Sequence, residues 1–125
     1  MDANKTLSRR FTDLFNTGDA AAAEDVLAPR VVFHGGSTGE FRSRDQLLEM
    51  IQEYRASFPD ASSTVEDQIA EGDRVVTRWN ATGTSPEGKP FRLTGITIER
   101  IEDGKIVEVW MNRDDVAMAE QLAGA

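Results

Sequence analysis

Two adjacent aspartates, Asp114 and Asp115, close the stretch KIVEVWMNRDD, which runs from Lys105 to Asp115. Carboxylates that follow a run of apolar β-formers either stop a strand in water or stand at the mouth of a pocket. A carboxylate at a pocket mouth beside an aromatic ring is desolvated, which raises its pKa and suits it to proton transfer near neutral pH. Strict alternation along the strand puts Ile106, Glu108, Trp110, Asn112 and Asp114 on one face, and Val107, Val109, Met111 and Arg113 on the other. A ring, an amide and a carboxylate in line have the makeup of a pocket wall. Asp114 is therefore the candidate acid/base, with Trp110 and Asn112 beside it, and Asp115 faces away. The same rule applied to RVVTRWNATGT groups Arg78 with Asn80 as candidate polar contacts and turns Trp79 to the opposite side. His34 ends the segment RVVFH. It could line the pocket as a donor or proton carrier near neutral pH, or simply be a hydrogen-bonded side chain at a strand end. Asp114 could equally cap a helix that follows it.

Other chemistries find less support. There is no cysteine, which excludes disulfides, thiolate metal sites and cysteine nucleophiles, and fits a cytoplasmic protein. His34 is the sole histidine and no acid cluster has ligand spacing, so metal catalysis is not expected. GTSPEGKP, from Gly83 to Pro90, has the spacing of a phosphate loop, but Pro90 stands where Ser or Thr is required. It reads as a connection between strands. HGGS, from His34 to Ser37, resembles an oxyanion loop, but no G-x-S-x-G elbow accompanies it, so it reads as a turn. The net charge of −8 argues against nucleic acid. No apolar run approaches the ~18 residues of a membrane span, and MDANKTLSRR leads into an amphipathic pattern, not a signal-peptide core.

These candidates must be held by a frame, and the periodicity supplies one. The length of 125 residues points to one domain over 1–125, large enough for a core. Leu7, Phe11, Leu14 and Phe15 fall at helical spacing and Gly18 is a stop. Asp19 can cap a short helix through AAAAEDVL, which Pro29 closes. RVVFH is a short strand and GGSTGE a turn. Ser43 and Gln46 make a capping box for SRDQLLEMIQEYRASF, whose stripe is Leu47, Ile51, Tyr54 and Phe58. Strands follow around Val65 to Ile69, in RVVTRWNATGT, in FRLTGITIERI and in IVEVWMN, with EDGK as a hairpin turn. VAMAEQL adds a last helical turn or two. Helices first and strands later predict an α+β domain, three helices of the N-terminal half packed on a curved antiparallel sheet that encloses a pocket.

The pieces FNTGD, VLAPRVVFHG, FPDASSTVEDQIAEGDRVVTRWNATGT and ITIERIEDGKIVEVW, then Asp114 and Gln121-Leu122, stand in an order that resembles the SnoaL-like polyketide cyclase (ester cyclase) group of the nuclear transport factor 2-like superfamily. The resemblance covers nearly the whole chain. It implies a cone-shaped α+β barrel, commonly a homodimer through the sheet, with a deep apolar pocket for a small hydrophobic molecule. It also implies an aspartate at the end of the last strand as general acid/base, matched here to Asp114, and no metal or cofactor. The implied reaction forms an enolate and closes a ring by intramolecular aldol attack. Limonene epoxide hydrolase resembles the chain around TRWN and WMN, but its Arg-Asp-Asp trio would fall on Arg78, Asn80 and Asn112, and an amide cannot take a proton from water. Ketosteroid isomerase uses a tyrosine and a protonated aspartate, whereas the first helix here carries Phe11 and Phe15. The expectation is a cofactor-free lyase, isomerase or cyclase for an apolar carbonyl compound. Asp114 would be catalytic, Asn112, Asn80, Arg78 and His34 polar contacts, and Trp110, Tyr54, Phe15 and Met50 pocket walls. The alternative is a non-catalytic binding or dimerisation domain in which Asp114 is only a helix cap.

Overall fold

The computed structural model describes residues 2–36 and 39–123. Part of the HGGS segment, Ser37, lies outside them. Ten elements follow in order: α1 (Ala3–Thr17), α2 (Ala20–Val26), β1 (Leu27–His34), β2 (Glu40–Phe41), α3 (Arg44–Ser57), β3 (Ser62–Glu71), β4 (Arg74–Thr84), β5 (Pro90–Glu102), β6 (Lys105–Arg113) and α4 (Asp115–Ala123). The helices begin and end where capping chemistry allows. The Asp2 carboxylate accepts from the Asn4 amide at 2.8 Å, and Gly18 ends α1 at φ 63°, a left-handed conformation that glycine adopts without strain. Ser43 accepts from the Gln46 amide at 3.1 Å, while the Gln46 side chain reaches one residue further back than a capping box requires, to the Arg42 amide at 2.9 Å.

The strands form one six-stranded sheet in the order β2-β1-β6-β5-β4-β3. It is mostly antiparallel, as expected, but β1 and β6 run parallel. Its edges, β2 and β3, do not meet, so the cone is an open curved sheet and not a closed barrel. Pro29 sits inside β1, in the gap between the Leu27 and Val32 pairings, where a missing amide hydrogen is tolerated. The helices cover one face. Leu7, Phe11 and Leu14 of α1 and Leu47 and Ile51 of α3 are buried against Val75, Trp79, Leu93, Ile101, Val109 and Met111 of the sheet.

The strict alternation assumed for β6 is broken. A register shift opposite Arg100 and Ile101 inserts an extra residue between Ile106 and Val109. Ile106, Val109 and Met111 are all buried on the helix-covered side, and Arg113 follows on that side. Trp110, Asn112 and Asp114 are thereby turned to the other face, the reverse of the expected wall. Trp79 is likewise inside and 7% exposed, not on the outer surface.

Gly95 fixes how Trp79 lies. The two residues are paired across β4 and β5, and a Cβ at 95 would stand 2.8 Å from Trp79 Cε2 and 2.9 Å from the Asn112 carbonyl oxygen. Only glycine lets the indole lie flat on the strand. Gly95→Ala must push the ring inward or separate β5 from β6. We expect a loss of about 1–3 kcal/mol, typical of overpacking, read as a lower melting temperature. A variant that melts with the wild type would mean that the indole is not held there.

Candidate functional site

The helix-covered face leaves a cavity of about 40 Å³. At roughly 10–15 Å³ per water, it has room for about three. Its walls are mainly apolar: Phe11 and Phe15 from α1, Met50 and Tyr54 from α3, Trp79, Leu93 and Met111 from the sheet. Phe11, Phe15, Tyr54, Phe58 and Phe91 form a continuous run of ring contacts, with centroids 5.0–6.2 Å apart. Four polar side chains interrupt the wall: Thr12, Ser63, Thr97 and Arg113. Burial raises the Tyr54 phenol above its ordinary value, so it stands in the cavity as a neutral donor.

Arg113 is the cation of the cavity lining. Its Nε lies 2.9 Å from the Asp115 carboxylate, an electrostatic pair whose geometry is off the hydrogen-bond axis. The aspartate that touches the cavity's charged residue is thus Asp115, not Asp114. The Asp114 carboxylate accepts the Ala117 amide at 3.0 Å and caps α4, and its main-chain amide bonds Thr94 across the sheet.

Of the residues singled out from the sequence, Phe15, Met50 and Tyr54 line the cavity. Asp114, Asn112, Arg78 and Asn80 instead border an open groove on the outer face. There Arg78 forks onto Asp67 at 3.0 and 3.2 Å, which holds the Asp67 carboxyl below its ordinary value, and Asn80 bonds Thr64 at 3.0 Å and also Glu66. His34 and Trp110 are on the outer face as well, stacked at 5.5 Å. The two ring nitrogens of His34 meet Glu108 at 2.8 Å and Glu40 at 3.1 Å, tying β1 to β6 and β2. Hydrogen bonding from His34 holds the Glu108 carboxyl below its ordinary range, and Arg100 joins the pair at 3.2 Å. This cluster secures the sheet; it does not reach the cavity. Wherever the expectation rested on β6 alternation, the extra residue in that strand displaced it.

Glu99 was missed. It is fully buried on the inner face of β5. Ser8 of α1 donates to its Oε1, and Thr77 lies within hydrogen-bond reach of that oxygen, while Oε2 has no partner. Desolvation raises its pKa from 4.5 to about 7, against the hydrogen bonds of Ser8, Thr97 and Thr77. The signal was present in the parity of β5: Phe91, Leu93 and Ile101 are inward, so Thr97 and Glu99 must be too. The isoleucines Ile96 and Ile98 disguise it by making the outer face look like the core. Among the described residues, no three His, Asp or Glu side chains come together to hold a metal ion, and no helix is long and apolar enough to cross a membrane.

A helix layer on a curved sheet around a small apolar cavity defines the nuclear transport factor 2-like fold, and comparison narrows it. The family model of SnoaL-like polyketide cyclases matches residues 5–122. The chain is similar to IdmH, a candidate polyketide cyclase from Streptomyces antibioticus, with 34% identity, a TM-score of 0.86, and 95% of this chain and 97% of that chain covered. TsrD from Streptomyces laurentii shares the fold at 24% identity and a TM-score of 0.87, over 100% and 99% of the two chains. A candidate polyketide cyclase from Bacillus cereus superposes with a TM-score of 0.86 at 26% identity, over 96% of this chain and 80% of that one. No curated protein matches. The chain belongs to the SnoaL-like polyketide cyclase family.

The buried Glu99 makes stability depend on pH. Below pH 4.5 the carboxyl is protonated in folded and unfolded chains alike. As pH rises toward 7 the unfolded chain ionises while the folded one cannot, and the fold loses stability until the loss is complete above 7. At ~1.4 kcal/mol per unit the loss amounts to about 3 kcal/mol. Glu99→Gln mimics the protonated acid, so its melting temperature should match wild type near pH 4 and exceed it at pH 8. Parallel melting curves for the two proteins across that range would mean that Glu99 ionises normally.

Proposed function

We propose that this protein is a cofactor-free acid/base enzyme for small apolar carbonyl compounds, with polyketide-cyclase-like chemistry. The observation that carries the reading is a guanidinium, Arg113, in the wall of an otherwise apolar, aromatic cavity. A ligand ring would seat against Phe11, Phe15 and Trp79 with its carbonyl oxygen toward Arg113. Loss of an α-proton then leaves an enolate whose oxygen the guanidinium stabilises in surroundings that exclude water. Attack of the enolate carbon on a second carbonyl of the same molecule forms the new carbon–carbon bond, and the second oxygen takes up a proton. The cavity is too small for a fused-ring product as it stands. Met50 and Met111, flexible and unbranched, are the walls that would move to admit one.

The second reading is a non-catalytic binding module of the same fold. What favours it is Asp114, bonded to the Ala117 amide as a helix cap and outside the cavity. Under either reading we infer a homodimer through the outer sheet face. Ile69, Val76, Ile98 and Trp110 follow one another across four strands there, and Ile69 is 71% exposed. A one-sided helix layer leaves this stripe to water unless a second copy covers it. With no cysteine to protect or pair, the cytoplasm suits the chain.

Two measurements test this. Acetophenone deuterated at its methyl group should lose deuterium to water faster with protein than with buffer, followed by proton NMR. Arg113→Met should slow that exchange by about 10²–10³, the usual loss for one oxyanion donor. Asp115→Asn, which releases Arg113, should slow it less, and Asp114→Asn should leave it unchanged. Buffer-rate exchange with wild-type protein would sink the catalytic reading and leave the binding module. For the assembly, light scattering should give twice 13.8 kDa, and Ile98→Lys should return the monomer mass. A wild-type protein already at the monomer mass at tens of micromolar would remove the dimer.

A further inference from the structure

The mechanism above needs a base, and the cavity lining contains no carboxylate. One stands just behind it. Thr97 is the last residue of β5 to line the cavity, and Thr12 lines it from α1. Two residues further along the same face of β5 is Glu99, and one helical turn before Thr12 is Ser8. Thr77 is the cross-strand partner of Thr97. Ser8, Thr77 and Thr97 thus surround Glu99 from α1, β4 and β5. The groups that act on its ionisation are these neutral hydroxyls, with no charged side chain among them. Gln68 of β3 completes the group by donating to Thr77 at 3.2 Å.

A structural carboxyl in such a place would use both oxygens. Oε1 is bonded, but Oε2 is buried and has no partner. Leaving a buried acceptor unmade costs stability and calls for an explanation. We propose that Glu99 is the proton acceptor and donor that serves the cavity, reached through the hydroxyl of Thr97. This rests on the reading of the cavity as a site of enolate chemistry.

The step balances without any further reactant. The ligand's α C–H bond breaks and its electron pair stays on the ligand as the enolate. The proton passes to Thr97 Oγ1 as the proton of that hydroxyl passes to the Glu99 carboxylate, to which Thr97 is hydrogen-bonded. Thr97 ends neutral, Glu99 ends as the acid, and the negative charge has moved from Glu99 to the ligand, where Arg113 meets it. The reverse transfer returns the proton to the aldol oxygen after ring closure and resets the carboxylate. Glu99 acts through Thr97 and does not touch the ligand, which makes it a relay residue.

The test follows exchange of methyl-deuterated acetophenone against pH. In wild type the rate should rise about tenfold per pH unit and level off near 7, where Glu99 becomes a carboxylate. Glu99→Gln should slow exchange by about 10²–10⁴ and lose the bend. Thr97→Val should also lose it, and Thr97→Ser, which keeps the hydroxyl, should restore it. Circular dichroism at each pH confirms that the variants are folded. With carboxyl-labelled glutamate, the carbon-13 resonance missing from Glu99→Gln should titrate near 7 in wild type. Adding acetophenone should shift that midpoint in wild type but not in Thr97→Val. A bend that survives in folded Glu99→Gln overturns this inference and leaves the role of Arg113 intact. Wild-type exchange at the buffer rate overturns both.

Discussion

A sheet covered by helices on one side has a single face for its core, and every side chain on it serves either that core or the outer surface. One extra residue in β6, opposite Arg100 and Ile101, determines which residues of the last strand take which side. It brings Met111 and Arg113 into the cavity and turns Trp110, Asn112 and Asp114 out. Because side chains alternate with a period of two, a shift of one residue exchanges the whole set. The position of the cation, the cap on α4 and the composition of the outer groove all follow from that local irregularity.

The same sheet divides its polar groups by environment. On the outer face, the exposed pair of Arg78 with Asp67 and the partly buried pair of Arg100 with Glu108 interlock across strands. Pairs of this kind hold register more than they add stability. On the inner face, Arg113 and Glu99 are not paired with each other. They stand at opposite ends of a run of cavity-lining residues on β5 and β6, since Gly95 pairs with Arg113 and Glu99 with Val109. Arg113 is instead paired with Asp115, and Glu99 with neutral hydroxyls.

Gly95 joins the two faces. Trp79 and Arg113 border both the inner cavity and the outer groove, and Gly95 is the thin point between them. A second copy of the chain lying on the outer face would cover the groove at that point, so assembly and cavity shape would be physically coupled there.

Much of the frame was legible in the sequence. Helical stripes, caps at Gly18 and Ser43, turn residues and the order of helices and strands depend on near neighbours, and the structure keeps them. Three of the cavity walls, Phe15, Met50 and Tyr54, could be named because they project from helix faces whose period is regular. The parallel pairing of β1 with β6 could not be read, since it joins segments far apart in the chain. Nor could the bulge in β6, whose extra residue has no distinctive composition. Glu99 was hidden because Ile96 and Ile98 mimic a core face, and only the positions of α1 and β4 around it show that a carboxyl is what the interior holds. Local propensity therefore determined the elements and their order. Which face each strand turns to the helices, and hence which residues share the cavity, is a matter of register, and register is set by contacts between strands that no stretch of sequence contains by itself.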